Sequence, residues 1–315
     1  MLIYRFPGKD IIKKSGQFIP CDKSIKNGFV VGDFKSDNVY VFDETNLIDD
    51  LFFSIEKPYV IEKNDYLRQG NVLIATIKNI GIHKTVLSRI KQCEFNERKS
   101  IDLFHLLEKK YPEAFVYLFS DKQLGTWIGA TPEILLRKIN KNGFSISLAG
   151  TKKSEDSKPW SDKEKLEQAY VTEFIDEELR IMQVTEIDKS STYEYQAGPV
   201  KHLRTDFNFT ITNQTTEDLI NALHPTPAVS GLPQNLSLEV IQQIEPHNRN
   251  LYAGYIGEID NENAAVYVNL RCCQIFQGEI YLYLGGGYTV ESDPEMEWQE
   301  TENKSRTILD LIQKL

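Results

Sequence analysis

The stretch Ala264-Ala265-Val266-Tyr267-Val268-Asn269-Leu270-Arg271-Cys272-Cys273-Gln274-Ile275-Phe276-Gln277-Gly278-Glu279-Ile280-Tyr281-Leu282-Tyr283-Leu284-Gly285-Gly286-Gly287 decides the fold. Apolar and aromatic residues fill both sides of Gln277-Gly278, and that dipeptide reads as a hairpin turn, which makes strands over 264–276 and 279–284 antiparallel. On the first strand the neighbours Cys272 and Cys273 point to opposite faces. Working outward, a second hairpin is predicted at Asn142-Gly143, between strands over 126–138 and 143–148. Further strands are predicted over 28–34, 39–42, 84–92 and 115–120, and helices over 100–110, 163–182, 216–222, 237–243 and 294–314. Strand pairs separated by amphipathic helices indicate an α+β chain with large antiparallel sheets. There is no repeat and no flexible linker, and residues 151–161 read as an exposed loop.

Composition narrows the function. The 315 residues are 41% hydrophobic and 26% charged, the profile of an ordinary globular chain with a sizeable core, in one large domain or two small ones. A formal net charge of −10, with no Lys/Arg cluster interleaved with aromatics, argues against a nucleic-acid surface. An anionic substrate must then be met by a few local cations. No apolar run approaches the ~20 residues of a membrane span and the first residues lack signal-peptide architecture, so a cytoplasmic location away from membranes is expected. Cys21, Cys93, Cys272 and Cys273 show no CxxC spacing, which predicts neither a disulfide framework nor a zinc site.

Candidate site residues gather around the C-terminal segments. The run from Ser292 to Lys304 carries its own helix start, with Asp293 as N-cap, Pro294 at the first helical position and Glu295 in the first turn. Within that helix Glu297, Glu300 and Lys304 fall within about 60° of one another. Such a stripe fits a divalent cation beside an anionic ligand; the alternative is a solvated face with an i,i+4 Glu300–Lys304 pair. Gly285, Gly286 and Gly287 let backbone N–H groups approach a carboxylate or phosphate, or form a plain turn. Lys84 heads a part-buried row with Val86 and Ser88, either as a functional amine or as an edge-protecting charge. Glu133 interrupts an apolar run and is either a bulge residue near solvent or an acid with a raised pKa suited to proton donation. Glu167 sits on an acid-rich helix. Arg271, on an apolar strand, needs an anion, whether structural or from a ligand. His224 lies in the rigid loop His224-Pro225-Thr226-Pro227-Ala228-Val229-Ser230-Gly231-Leu232-Pro233, which either aims it into a pocket or leaves its ring in solvent.

Six segments in order, Lys84-Thr85-Val86-Leu87-Ser88-Arg89, Gly129-Ala130-Thr131-Pro132-Glu133, Leu148-Ala149-Gly150-Thr151, Glu167-Gln168 before Val171, Leu251-Tyr252-Ala253-Gly254 and Asp293 to Lys304, resemble the chorismate-utilising enzymes. That family contains isochorismate synthase, salicylate synthase, anthranilate synthase component I and aminodeoxychorismate synthase component I. The resemblance covers about residues 70–305 and leans to the isochorismate synthase branch. The loop after His224 differs from the Gly-Ala-Pro-Lys or Gly-Ile-Pro-Lys ending of the anthranilate and salicylate branches, with Gln234 where they place that lysine. Ala149 stands where the aminodeoxychorismate branch has a nucleophilic lysine, and Glu297-Trp298 replaces Glu-Tyr. Lys152-Lys153 and Tyr255 depart from the arginine-proline and proline common in isochorismate synthases.

The resemblance implies a sandwich of large antiparallel sheets flanked by helices, as one chorismate-binding catalytic domain over 1–315 whose shortened portion 1–70 is integrated into it. It also implies Mg²⁺-dependent, reversible conversion of chorismate to isochorismate for menaquinone or siderophore biosynthesis. In this scheme Lys84 is the general base and Glu133 the general acid. Glu167 and Glu300 bind the metal, with Glu297 behind an ordered water. Lys304 faces the ring carboxylate, Arg271 and Tyr252 take the enolpyruvyl carboxylate, and Gly285, His224, Ala149, Gly150 and Thr151 complete the substrate pocket. No tryptophan-sensing motif is found, so allostery is not expected. A monomer without a glutaminase subunit is expected, because water replaces ammonia as nucleophile. A salicylate synthase, an anthranilate or aminodeoxychorismate synthase component I, and a non-catalytic chorismate-binding subunit are the alternatives.

Overall fold

The computed structural model describes residues 1–21, 27–44, 50–197 and 200–315. The N-terminal part contributes β1 (Leu2–Arg5), β2 (Ile12–Lys14), β3 (Gln17–Pro20), β4 (Gly28–Gly32), β5 (Val39–Asp43) and α1 (Lys63–Ile80). Next come β6 (Lys84–Glu94), α2 (Ser100–Lys110), β7 (Phe115–Asp121), β8 (Gly125–Thr131), β9 (Ile134–Ile139), β10 (Asn142–Lys153) and α3 (Asp162–Ile181). The chain continues through β11 (Thr185–Lys189), β12 (Tyr193–Ala197), β13 (Val200–Thr210), α4 (Thr216–Leu223), β14 (Gly231–Leu232) and α5 (Gln234–Ile244). It closes with β15 (Tyr255–Ile259), β16 (Asn263–Val268), β17 (Cys272–Phe276), β18 (Glu279–Tyr288) and α6 (Pro294–Ile312).

Among the described residues the strands form two sheets. The first runs β14-β6-β18-β17-β8-β7-β1-β2 and the second β11-β13-β10-β9-β16-β15-β4-β5-β3, with β12 also on β13. Every pairing is antiparallel. Aromatic rings join the sheets face to face: Phe18 meets Phe119 at 4.9 Å, Tyr4 meets Phe29 at 4.8 Å and Phe115 meets Tyr267 at 4.8 Å. The large antiparallel sheets expected from the strand pattern, and the sandwich that the resemblance implies, are therefore the observed architecture. Strands β1 and β2 join the first sheet and β3 to β5 the second, so the described N-terminal strands are woven into the sandwich. Helices α2 and α6 pack on the first sheet, and α3 and α4 on the second. Cys272 belongs to the core between the sheets and Cys273 to the core under α2 and α6, as their alternation requires.

Two strands expected to be continuous are each broken, and the breaks make the site. The 126–138 run divides at Pro132-Glu133 into β8 of the first sheet and β9 of the second, and the 264–276 run divides at Asn269–Arg271 into β16 and β17. Because β8 pairs with β17 and β9 with β16, one two-stranded ribbon bends from sheet to sheet. Proline cannot donate to a ladder, which favours the corner at Pro132. Across it the Val268 amide donates to the Glu133 carbonyl at 2.9 Å and the Thr131 hydroxyl donates to the Val268 carbonyl at 2.6 Å. Arg271 takes a left-handed φ of +49°, a conformation costing on the order of 1–3 kcal/mol for a side-chain-bearing residue.

Local signals account for the starts of α3, α4 and α6. Asp293 caps α6 by accepting from the Glu295 and Met296 amides at 2.9 and 3.0 Å, with Pro294 in the first turn. Ser161 and Glu164 form a reciprocal capping box on α3, and Thr215 and Asp218 another on α4. The Gln277-Gly278 turn forms as read, with Phe276 opposite Glu279 and Gly278 at φ +76°. The other hairpin turns two residues earlier than expected, at Asn140-Lys141, because Asn140 takes the left-handed conformation and Asn142 already pairs with Ile139.

Candidate active site

A cavity opens between the sheets at the bend of the ribbon. Its wall includes Lys84 and Val86 of β6, Glu133 of the corner, Leu148 to Thr151 of β10, and Glu167 of α3. His202, Tyr252, Arg271, Gly285, Gly287, Glu300 and Lys304 complete it. Of the thirteen residues singled out in the sequence, the structure brings eleven to this cavity. His224 and Glu297 are the two it does not.

Lys84 and Glu133 are 2% and 3% exposed, so both must be treated as buried ionisable groups. Burial lowers the Lys84 pKa, and the neighbouring ammonium of Lys304 adds to this, against the attraction of Glu167. Burial acts in the opposite sense on Glu133 and pushes it up to about 7, although Lys84, Lys304 and Arg271 all pull it down. The lysine is thus biased toward the neutral amine and the glutamate toward the neutral acid. The two buried groups are shifted in opposite senses on one cavity.

The three glycines act differently from the backbone-donor reading. They continue β18 in register with Ser88, Leu87 and Val86, and none has a positive φ. Their use is the absence of a side chain. A Cβ on Gly285 would stand 2.7 Å from the Tyr252 hydroxyl, one on Gly286 3.1 Å from Glu297 Oε2, and one on Gly287 3.0 Å from Lys84 Cε. Gly285 also turns its carbonyl toward the site, accepting from Lys304 Nζ at 2.8 Å.

Arg271 lines the cavity with no carboxylate of the described residues in an ion pair with its guanidinium, though Glu300 and Glu133 act on it at longer range. Nη1 donates to Thr307 Oγ1 at 3.0 Å and Nη2 to His202 Nε2 at 3.2 Å. His202 was not foreseen; it is buried on β13, and burial together with Arg271 lowers its pKa to about 3. Its Nδ1 lies 2.9 Å from the Gly150 carbonyl, so the neutral ring donates there and accepts from Arg271. Gly150 sits in a bulge of β10 at φ +64°, which turns that carbonyl inward. The one signal for His202 in the sequence is a histidine at an inward position of an alternating strand. Tyr252 is placed by the tight turn Leu251-Tyr252-Ala253-Gly254, which Asn269 anchors through a hydrogen bond to the Leu251 carbonyl at 2.8 Å. Gly254 is required there because a Cβ would lie 2.1 Å from the Gly32 carbonyl.

The acids of α3 and α6 stand at one end. Glu300 pairs with Lys304 at 2.7 Å; burial works against its charge, but Lys304 holds its pKa low. Burial raises Glu167. Glu297, 2% exposed, lies against Gly286 outside the cavity wall. It accepts from Ser292 Oγ at 2.9 Å and from Lys163 Nζ in a short contact, and burial with repulsion from Glu300 pushes it up to about 7. Lys163, four residues before Glu167 on α3 and a second residue not foreseen, also lies 3.7 Å from Glu167. Among the described residues no three acidic, histidine or cysteine side chains converge closely enough to enclose an ion.

His224 corrects the sequence expectation. Its N–H caps α4 on the Ile220 carbonyl at 2.9 Å, which carries the ring back under β4 rather than toward the cavity. Nε2 donates to the Phe34 carbonyl at 3.1 Å, the ring packs edge-on against Tyr255, and burial lowers its pKa to about 4. From the same loop Ala228 and Val229 reach the cavity instead.

Comparison with known proteins gives the family. Residues 42–313 match the model of the chorismate binding enzymes. The chain belongs to that family. Isochorismate synthase EntC of Escherichia coli is 31% identical over 274 residues, covering 82% of this chain and 69% of that protein. Isochorismate synthase DhbC of Bacillus subtilis is 32% identical over 275 residues, covering 79% and 68%. The structure of MenF, the menaquinone-specific isochorismate synthase from Escherichia coli, superposes with a TM-score of 0.81 at 19% identity over 99% of this chain and 88% of MenF. No described helix is long and apolar enough to cross a membrane.

Proposed function

We propose that this family member is an isochorismate synthase, converting chorismate to isochorismate by adding water at C2 as the C4 hydroxyl leaves. The observation that carries the reading is the pair of opposed protonation biases on Lys84 and Glu133 in one cavity. A neutral Lys84 takes a proton from water as the C2–O bond forms. The ring double bonds shift, the C4–O bond breaks, and Glu133 gives its proton to the departing hydroxyl, which leaves as water. Proton return from Lys84 to Glu133 through solvent closes the cycle, and the net change is an isomerisation.

Substrate orientation falls to the remaining wall. Arg271, oriented by His202 and Thr307, suits a bidentate grip on the enolpyruvyl carboxylate, with the Tyr252 hydroxyl beside it. Lys304 is positioned for the ring carboxylate. Ala149, Gly150 and Thr151 keep that side of the cavity small.

In chemistry, though not yet in spacing, the donor set suits Mg²⁺: with Lys163 on Glu297 and Lys304 on Glu300, the three carboxylates do not converge as they stand. Glu167, Glu297 and Glu300 are hard oxygen donors, and Glu300 repels both of the others. Glu167 and Glu300 would hold the ion directly and Glu297 through water. Bound there, Mg²⁺ would neutralise the ring carboxylate as a Lewis acid. Water as nucleophile removes the need for a glutaminase subunit, and a monomer working in the cytoplasm in menaquinone or siderophore biosynthesis is the accompanying expectation. The test is incubation of the purified protein with chorismate and Mg²⁺, with products separated by chromatography. Isochorismate in equilibrium with chorismate is expected; salicylate formed without a second enzyme would make the chain a salicylate synthase and overturn the reading.

A further inference from the structure

Lys163 has no part in the scheme above, yet it holds the centre of the acidic end. Its ammonium donates to Glu297 in a short contact and lies 3.7 Å from Glu167, so it touches two of the three carboxylates assigned to the metal. Glu300, the third, is taken by Lys304 at 2.7 Å. Glu167 also feels the ammonium of Lys84, but among the described residues Lys163 alone bridges residues on helices that approach from different sides, α3 and α6. Its side chain is about a quarter exposed and stands on the first turn of α3, where a flexible four-carbon stem reaches solvent without disturbing the helix.

We propose that Lys163 is a tethered stand-in for the divalent cation: it binds Glu297 and Glu167 in the metal-free protein and must release Glu297 before the ion can settle among the three carboxylates. The inference rests on the Mg²⁺ reading given above. A lysine suits the task better than an arginine. Its ammonium is a compact, strongly hydrated point charge that leaves readily, whereas a planar guanidinium would lock both acids. The arrangement keeps the buried carboxylates neutralised when no metal is present, at the expense of weaker metal binding. Lys163 is thereby a positioning residue and touches no reacting atom.

The test is calorimetric titration of Mg²⁺, without chorismate, into the wild type, Lys163→Met and Lys163→Arg. Lys163→Met should bind Mg²⁺ about tenfold or more tightly than the wild type, the worth of one charge-assisted hydrogen bond that no longer has to break. Lys163→Arg should bind no more tightly than the wild type. A second measurement uses the unmodified protein and so does not depend on a variant folding. Under brief labelling with an amine-reactive reagent, Lys163 should become several-fold more reactive when Mg²⁺ is added, while the exposed Lys57 and Lys165 serve as references. Wild type that binds Mg²⁺, with Lys163→Met no tighter and Lys163 labelling unchanged, would overturn the stand-in role and leave the metal reading intact. A wild type that binds no Mg²⁺ and shows no change in labelling would remove both.

Discussion

Replacing Glu133 by glutamine separates catalysis from stability in opposite directions. The side chain is buried, and its pKa rises from 4.5 to about 7, with burial as the main cause. A carboxyl group whose folded pKa lies above its unfolded one stabilises the protein fully below the unfolded value. That contribution is lost as pH rises through the folded value, here between about pH 4.5 and 7. The difference of 2.5 units amounts to about 3 kcal/mol at ~1.4 kcal/mol per unit. Glutamine keeps the shape and cannot ionise. Between pH 4 and pH 8 the unfolding free energy of Glu133→Gln should therefore shift by about 3 kcal/mol in the variant's favour relative to the wild type, measured by urea denaturation. At the same time its turnover of chorismate should fall by roughly 10²–10⁴-fold, the worth of a general acid. The fall in wild-type kcat/KM above about pH 7, where Glu133 loses its proton, should be absent from the variant. A stability difference that does not change with pH, or a variant that keeps wild-type turnover, would refute the assignment of Glu133 as a buried proton donor.

Other variants address the remaining assignments. Lys84→Met replaces a buried amine of lowered pKa by an apolar chain of similar length, and should cost roughly 10²–10⁴-fold in kcat with little change in KM in steady-state kinetics. Arg271→Lys loses the fork that spans Thr307 and His202, and should raise KM for chorismate about tenfold or more while the melting curve moves little. His224→Ala removes a ring packed on Tyr255 and bonded to Phe34. It should lower unfolding free energy by about 2–3 kcal/mol and leave KM within about twofold, whereas a pocket histidine would show the reverse pattern.

What the sequence disclosed depended on whether the cause was local. The start of α6, the bounds of α2 and the Gln277-Gly278 turn rest on neighbouring residues, and each was legible. The two corners at Pro132-Glu133 and Asn269–Arg271 were not, because apolar alternation runs through both and the bend arises only when the strands pair with different sheets. Helix α1 escaped notice for a tertiary reason. Gly70 interrupts its pattern, and a Cβ there would lie 2.8 Å from the Tyr288 hydroxyl, a contact across more than two hundred residues. Short strands such as β1 and β15 also went unread, since four or five residues give alternation little room. Within the site, ordered motifs led to the cavity wall, including Lys84, Glu133 and Arg271. The partners that tune the wall did not announce themselves: Lys163 meets Glu297 from another helix, and His202 meets Arg271 from another sheet. His224 misled because a rigid loop fixes a direction without revealing which one.

The central claim is that water enters at C2 while the C4 hydroxyl departs. Running the reaction in ¹⁸O-labelled water and analysing the product by mass spectrometry tests it most directly. The account predicts isochorismate carrying one ¹⁸O at C2, formed only by protein that retains Lys84 and Glu133. Unlabelled isochorismate, which would mean that the hydroxyl migrates within the substrate, would contradict it.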